Sequence, residues 1–308
     1  EDLNQLKLVL VKKKKTNKAV NTPTNRIITS MLSKERFLFL LRYGYAYVER
    51  KIELEDGTQG TELQKHIMRY QQMFASYAIR HTLDKGVKSG IIWHTQGSGK
   101  TALAYYSVKS LTDYFAKKNV VAKFYFIVDR IDLMEQATDE FAARGLIVRN
   151  AKSRTELMND ISSRAITHNN EGKLEIVVVN IQKFKEDKAK VKVDDSYSTQ
   201  LQRIFFIDEA HRGYNPQGSF LANLLEADTN AVKIALTGTP LLKEERESWR
   251  VFGDYIHTYY YDKSIADGYT CKLMREPVET IYKEKIENIL EQLAGDVEVK
   301  KSDIDRNK

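Results

Sequence analysis

At 308 residues, 42% hydrophobic and 30% charged, the chain is long enough for one large core domain with smaller flanks and is too apolar for a disordered tail. No apolar run approaches the ~20 residues that cross a bilayer, so no membrane partner is expected, and a single cysteine, Cys271, excludes an intrachain disulfide or a four-cysteine zinc site and fits a reducing, cytoplasmic setting. The net charge of +7 favours a polyanionic partner without requiring one.

In chain order, Glu1 lacks a preceding Met or an apolar leader, so the chain reads as a piece excised from a longer protein. Residues 1–60 read as a flanking segment or the remnant of something upstream, with one strand-like run at Leu6 to Val11. The basic run Lys12 to Lys15 reads first as a solvated loop and second as a phosphate-tracking patch. A helical pattern follows Ser33, strands are expected at Tyr43 to Val48 and Ile52 to Leu54, and a second helix is expected from about Leu63 to Leu83.

Short apolar strands then alternate with amphipathic helices, the pattern of right-handed crossovers in a parallel sheet. The strands are Gly90 to Trp93, Lys123 to Val128, Leu174 to Val179, Arg203 to Ile207 and Val232 to Ala235, each apolar on both faces as strands between helix layers should be. Helices are expected from Lys100, Ile131, Asn180 or later, Gly218 and Glu244. The fold class is therefore α/β, a mostly parallel sheet covered by helices, spanning 61–262. After Tyr261 the alternation stops, and 263–308 reads as a linker, with a helix from Ile281 to Leu293, leading into an element that the chain does not finish.

The strongest local signal is His94-Thr95-Gln96-Gly97-Ser98-Gly99-Lys100-Thr101, where an apolar strand gives way to a helix. Gly97 and Gly99 let the backbone turn tightly so that successive N–H groups face an anion, and the following helix points its positive end at the same place. Lys100 would reach the β- and γ-phosphates of ATP, and the Thr101 hydroxyl would bind Mg²⁺. His94 stands where the strict pattern has glycine. The second signal is Ile204 to Ile207 followed by Asp208-Glu209-Ala210-His211, an apolar strand that delivers two carboxylates to the carboxyl edge of the sheet. Asp208 could hold Mg²⁺, and Glu209 could orient and deprotonate a water. Alone such a pair is more often a helix start; joined to the phosphate loop it points to nucleotide hydrolysis. Three further segments follow strands: Val128 to Gln136, Val179 to Phe184, and Ala235-Leu236-Thr237-Gly238-Thr239-Pro240. They bring polar groups to the same edge, although Thr237 and Thr239 could equally be caps or turn formers.

These residues resemble the helicase-like motors of superfamily two and, within them, the first RecA-like motor domain of the restriction subunit of type I restriction-modification enzymes. The resemblance covers roughly residues 31–280. It rests on Trp93 to Thr101, Val128-Asp129-Arg130 with Asp132-Leu133, Ile181 to Phe184, Asp208 to His211, Thr237 to Pro240 and Phe252 to Ile256. It implies that Gln72, three residues after Arg69, reads adenine, with Gln71 as the alternative register. It also implies that His211, Thr237 and Thr239 couple nucleotide state to movement, and that Arg130, Gln182 and Lys183 lie near DNA. The implied cofactors are ATP and Mg²⁺, and the implied partners are double-stranded DNA and the methylation and specificity subunits, in a bacterial or archaeal cytoplasm. Such motors close a second RecA-like domain over the nucleotide, and the family carries an upstream nuclease. Neither is complete here, so the chain is expected to bind Mg-ATP better than it hydrolyses it. Three other readings compete: a strand-separating DNA or RNA helicase, a small-molecule P-loop kinase, and a nucleic-acid scaffold indifferent to nucleotide.

Overall fold

The computed structural model describes residues 32–54, 57–163, 172–181, 200–208, 220–239, 252–272 and 280–296. These form two compact units that divide between Thr270 and Cys271. The first begins with helix α1 (Lys34–Tyr43), whose Phe39, Leu40 and Tyr43 are buried. Strands β1 (Tyr45–Glu53) and β2 (Gln59–Ile67) follow as an antiparallel hairpin, in continuous register from Tyr45 opposite Ile67 to Glu53 opposite Gln59. The hairpin corrects the expected helix from Leu63: its first turn is strand, and α2 runs only over Tyr70–Asp84. Leu63 and Ile67 share the i, i+4 spacing of a helix face, but both are more than half exposed. Nothing apolar rewards the helix there, and main-chain pairing with β1 satisfies the backbone instead. The hairpin also runs through residue 60, where the flanking segment was expected to end.

The main sheet has seven strands among the described residues: β3 (Ser89–His94), β4 (Val121–Val128), β5 (Ile147–Ala151), β6 (Glu175–Asn180), β7 (Leu201–Asp208), β8 (Val232–Thr237) and β9 (Tyr255–Tyr259). They lie in the order β5-β6-β4-β7-β8-β3-β9, and every neighbouring pair is parallel. The five strands legible in sequence form the five central positions. The two edge strands were not foreseen. Both are short, and four of their five residues are only half-buried.

Alternation along the central strands fills two cores, one on each face. Ile92, Phe126, Val178, Phe206 and Ile234 pack under α2, α3 (Lys100–Ala116) and α4 (Ile131–Ala142). Ile91, Tyr125, Val179, Phe205 and Ala235 pack under α5 (Arg154–Ser162) and α6 (Phe220–Ala227). Both faces are covered, as an all-parallel sheet requires. Near the amino ends of the strands sits a buried ionic group. Asp160 accepts from Lys123 at 3.1 Å, from the Tyr125 hydroxyl at 2.9 Å and from Arg149, while Arg203 pairs with Asp228 at 2.6 Å. A short helix, α7 (Tyr261–Ala266), ends the described secondary structure of this unit. In the second unit, α8 (Thr280–Asp296) contains the helix expected from Ile281. The runs Leu6 to Val11 and Lys12 to Lys15, and the helix expected at Glu244, lie outside the described residues. None of the described helices is long and apolar enough to cross a membrane.

Candidate nucleotide-binding site

Strand register alone assembles the edge on which the polar motifs meet. Trp93 on β3 pairs with Thr237 on β8, and Leu236 on β8 pairs with Asp208 on β7. On the far side Ile207 pairs with Ile127, and Val128 with Asn180. The phosphate-loop segment, Thr237 to Thr239 and Asp208 therefore leave three consecutive strands at one level, about 4.8 Å apart from strand to strand.

The loop between β3 and α3 has the conformation that its glycines suggest. Gly97 and Gly99 adopt φ of +75° and +85°, left-handed values that L side chains avoid, and Gly99 immediately precedes Lys100 at the start of α3. The Ser98 hydroxyl donates to the Thr95 carbonyl at 2.6 Å, closing the turn from inside. Gln96 and Gly97 are exposed, while Thr95 and Ser98 are buried. Lys100 and Thr101 are half-buried at the first turn of the helix, where backbone N–H groups and the helix dipole favour an anion.

Gln72 joins α2 to this loop. Its side-chain oxygen accepts from the Arg69 amide at 2.9 Å, capping α2, and its amide nitrogen donates to the Gly99 carbonyl at 3.0 Å. Arg69 adds a longer bond from its guanidinium to the Gly97 carbonyl, 3.4 Å, and stacks over the Tyr269 ring at 4.0 Å. Gln71 is fully buried and neither of its side-chain polar atoms has a hydrogen-bond partner, so of the two glutamines it is Gln72 that touches the loop.

From the other side, the Thr237-Gly238-Thr239 turn presses against the loop. A Cβ on Gly238 would lie 3.1 Å from Gln96 and 3.3 Å from the Lys100 ammonium, so a side chain there would press on both and the glycine gives the turn its close approach to Lys100. The Thr237 hydroxyl donates to the Thr239 carbonyl at 2.9 Å and accepts from the Thr239 amide at 3.3 Å, and the Trp93 indole donates to the Gly238 carbonyl at 3.3 Å. Thr237 thus bonds within its own turn, and that turn lies against Lys100.

Asp208 is half-buried at the end of β7. Its carboxylate and the Thr101 hydroxyl are oxygen donors suited to Mg²⁺. Mg²⁺ bound with phosphates needs only one or two protein oxygens, so such a site is consistent with the absence of a three-ligand cluster among the described residues. Arg130 follows β4 and forms a two-pronged pair with Asp132, at 3.1 and 2.8 Å, on the surface. Glu209, His211, Gln182 and Lys183 lie outside the described residues.

The structure also brings in residues that had no sequence signal. His257 on β9 meets His94 at 2.7 Å, and Asp267 accepts from the hydroxyls of both Tyr70 and Tyr259, tying the start of α2 to the end of β9. Burial pushes the Tyr259 phenol up to about 12, with Asp267 adding to the effect, so it stays a donor.

A fully parallel sheet covered on both faces, with a glycine-lysine-threonine loop after an inner strand and a carboxylate two strands away, defines a RecA-like domain of the helicase-like motor class. The chain belongs to the SWI2/SNF2 ATPase family, whose model matches residues 71–305. Its curated relatives are type I restriction enzyme endonuclease subunits. The protein of Methanocaldococcus jannaschii named as the MjaIXP endonuclease subunit is 30% identical over 288 residues, 86% of this chain and 26% of the relative. The SsaAORF53P endonuclease subunit of Staphylococcus saprophyticus is 28% identical over 73% of this chain and 23% of its own length. The chain therefore spans about a quarter of the length of these relatives. Among solved structures, the Sulfolobus solfataricus SWI2/SNF2 ATPase core in complex with double-stranded DNA is 18% identical, with a TM-score of 0.37 over 60% of this chain and 34% of that one.

Proposed function

We propose that this chain is the ATP-binding motor domain of a type I restriction enzyme's endonuclease subunit, binding Mg-ATP and driving movement along double-stranded DNA in the bacterial or archaeal cytoplasm. The observation that carries the reading is the register of β3, β8 and β7, which brings the Gly-Lys-Thr loop, the Thr-Gly-Thr turn and Asp208 to one edge. A small-molecule kinase has no use for a second turn packed onto its phosphate-binding lysine. A motor does, because it must report the γ-phosphate to a moving part.

In this reading the backbone N–H groups from Gly97 to Thr101 cradle the phosphates, and Lys100 reaches the β- and γ-phosphates. Thr101 and Asp208 would hold Mg²⁺, which when bound would offset charge on the transferring phosphoryl group. Gln72 reads adenine from α2, where it is bonded to the loop, and Glu209 polarises the attacking water. Lys100 lies under the Gly238 turn, so loss of the γ-phosphate would be felt by Thr237 and Thr239, and His211 would share that coupling. Arg130, Gln182 and Lys183 would face the DNA; Arg130 would first have to exchange Asp132 for a phosphate oxygen. Methylation and specificity subunits would supply site recognition.

Calorimetric titration of the 308-residue chain with Mg-ATP tests the nucleotide half of the proposal. Saturable binding that Lys100→Ala abolishes, with little turnover by the chain alone, is expected. A folded wild-type chain that binds no Mg-ATP would refute it.

A further inference from the structure

We infer that His257 is a positioning residue for the phosphate loop, acting through His94, and that the irregularity of edge strand β9 exists to bring the two together. The inference rests on the nucleotide-binding reading above and adds to it a residue outside every recognised motif.

The first observation is a register shift. β9 pairs with β3 from Tyr255 opposite Ile91, but the next pairs are His257 opposite Ile92, Thr258 opposite Trp93 and Tyr259 opposite His94. Ile256 is the extra residue, and its side chain fills the space beside Gly90, where a Cβ would come within 2.7 Å of it. Without the shift, His257 would pair with Trp93 and its side chain would emerge on the face opposite to His94, because successive strand residues alternate faces. With the shift it lies on the face of Ile92 and His94.

The second observation is the contact. His94 Nε2 and His257 Nδ1 are 2.7 Å apart, with the rings nearly edge to face, and His94 is fully buried. The other His94 nitrogen, Nδ1, is buried without a hydrogen-bond partner. This selects the tautomer. If His257 donated, His94 would carry its proton on Nδ1 as an orphaned buried N–H, which folded proteins tolerate less readily than an unused acceptor. His94 therefore donates from Nε2 and His257 accepts. Burial keeps both rings neutral and lowers His94 to about 2 and His257 to about 4, with Lys100 and Lys263 adding to the respective shifts.

The third observation is position. His94 is the last residue of β3, and the next amide, Thr95, donates to the Tyr259 carbonyl at 3.2 Å. One side-chain bond and one main-chain bond thus hold the first residues of the loop to β9. The origin of the loop sets where the N–H groups of Gly97 to Lys100 point, and phosphate binding depends on that aim. His94 occupies the first position of the pattern because its partner lies beneath the loop.

The test is Mg-ATP titration of the full chain carrying His257→Ala or His257→Asn, with unfolding followed in parallel. Asn can present an acceptor near the position of His Nδ1. His257→Ala is expected to weaken Mg-ATP binding about tenfold while the chain still unfolds cooperatively, and His257→Asn to return it to within about twofold of wild type. Should the alanine variant fail to fold, His257→Leu, which keeps the volume and removes the acceptor, carries the same expectation. Nitrogen-15 spectra should show His94 protonated at Nε2 in wild type and in His257→Asn. Wild-type affinity in the alanine or leucine variant, or failure of asparagine to rescue, overturns the inference while leaving nucleotide binding standing. A folded wild-type chain that binds no Mg-ATP overturns both.

Discussion

The Gln72 side-chain amide donates to the carbonyl of Gly99, the last residue of the phosphate loop, at 3.0 Å, and a Cβ on Gly99 would lie 2.4 Å from the same amide nitrogen. The two positions therefore constrain one another. Gly99→Ala must expel Gln72 and hold φ near +85° with a side chain, at a cost of ~1–3 kcal/mol in stability. Mg-ATP affinity should fall at least about tenfold, since the backbone donors move together. Gln72→Ala removes the cap on the Arg69 amide and should cost ~1 kcal/mol, with a smaller loss of affinity. Urea titration and calorimetry on both variants check this, and equal affinities in Gly99→Ala and wild type would contradict it.

How much of this was legible in the sequence depended on burial. β3 and β7 could be read because Ile91, Ile92 and Ile204 to Ile207 are apolar on both faces, the mark of a strand between two helix layers. β9 could not: Tyr255 to Thr258 are only half-buried and carry a histidine and a threonine, so no pattern of either period stands out. β2 was misread because Leu63 and Ile67 mimic a helical stripe on a strand whose main support is backbone pairing. The phosphate loop was legible as a motif, since Gly-Lys-Thr between strand and helix has few other uses. The His94–His257 contact was not, because it depends on a one-residue register shift that only the neighbouring strand defines.

The buried carboxylate of Asp160 should dominate the acid sensitivity of the sheet's amino edge. Its side chain and that of Lys123 are each 3% exposed. Burial alone would raise Asp160, but Lys123, Arg149 and the Tyr125 hydroxyl more than offset it and hold the carboxyl below its ordinary range. Burial acts on Lys123 as well and lowers its ammonium even beside Asp160, so Arg149 and the Tyr125 hydroxyl share with it the work of holding the carboxylate. A depressed carboxyl contributes stability that is present above its unfolded pKa of ~4 and is lost as pH falls through the folded value. Asp160→Asn should lower stability by ~3 kcal/mol at neutral pH by removing the buried counter-charge that Lys123 and Arg149 share. The gap from wild type should narrow below about pH 4 in denaturant titrations; a gap independent of pH would argue against this.

The histidine pair should act in a different window. Both rings are neutral when folded, with values lowered to about 4 for His257 and about 2 for His94, while unfolded histidine titrates near ~6.5. Below that value the unfolded chain binds more protons, so stability falls with pH from about 6.5 downward, by up to ~1.4 kcal/mol per unit for each histidine. The double variant His94→Gln, His257→Asn should show a shallower decline between about pH 6.5 and 4 than wild type. Identical slopes would mean that the pair is not buried in neutral form.

The measurement that bears most directly on the account uses the parent subunit assembled with the methylation and specificity subunits proposed for it, on DNA carrying a distant triplex. ATP is predicted to drive displacement of the third strand without separating the duplex, and Lys100→Ala to abolish that displacement. ATP-dependent opening of the duplex, or no displacement by an assembly that still binds Mg-ATP, would contradict it.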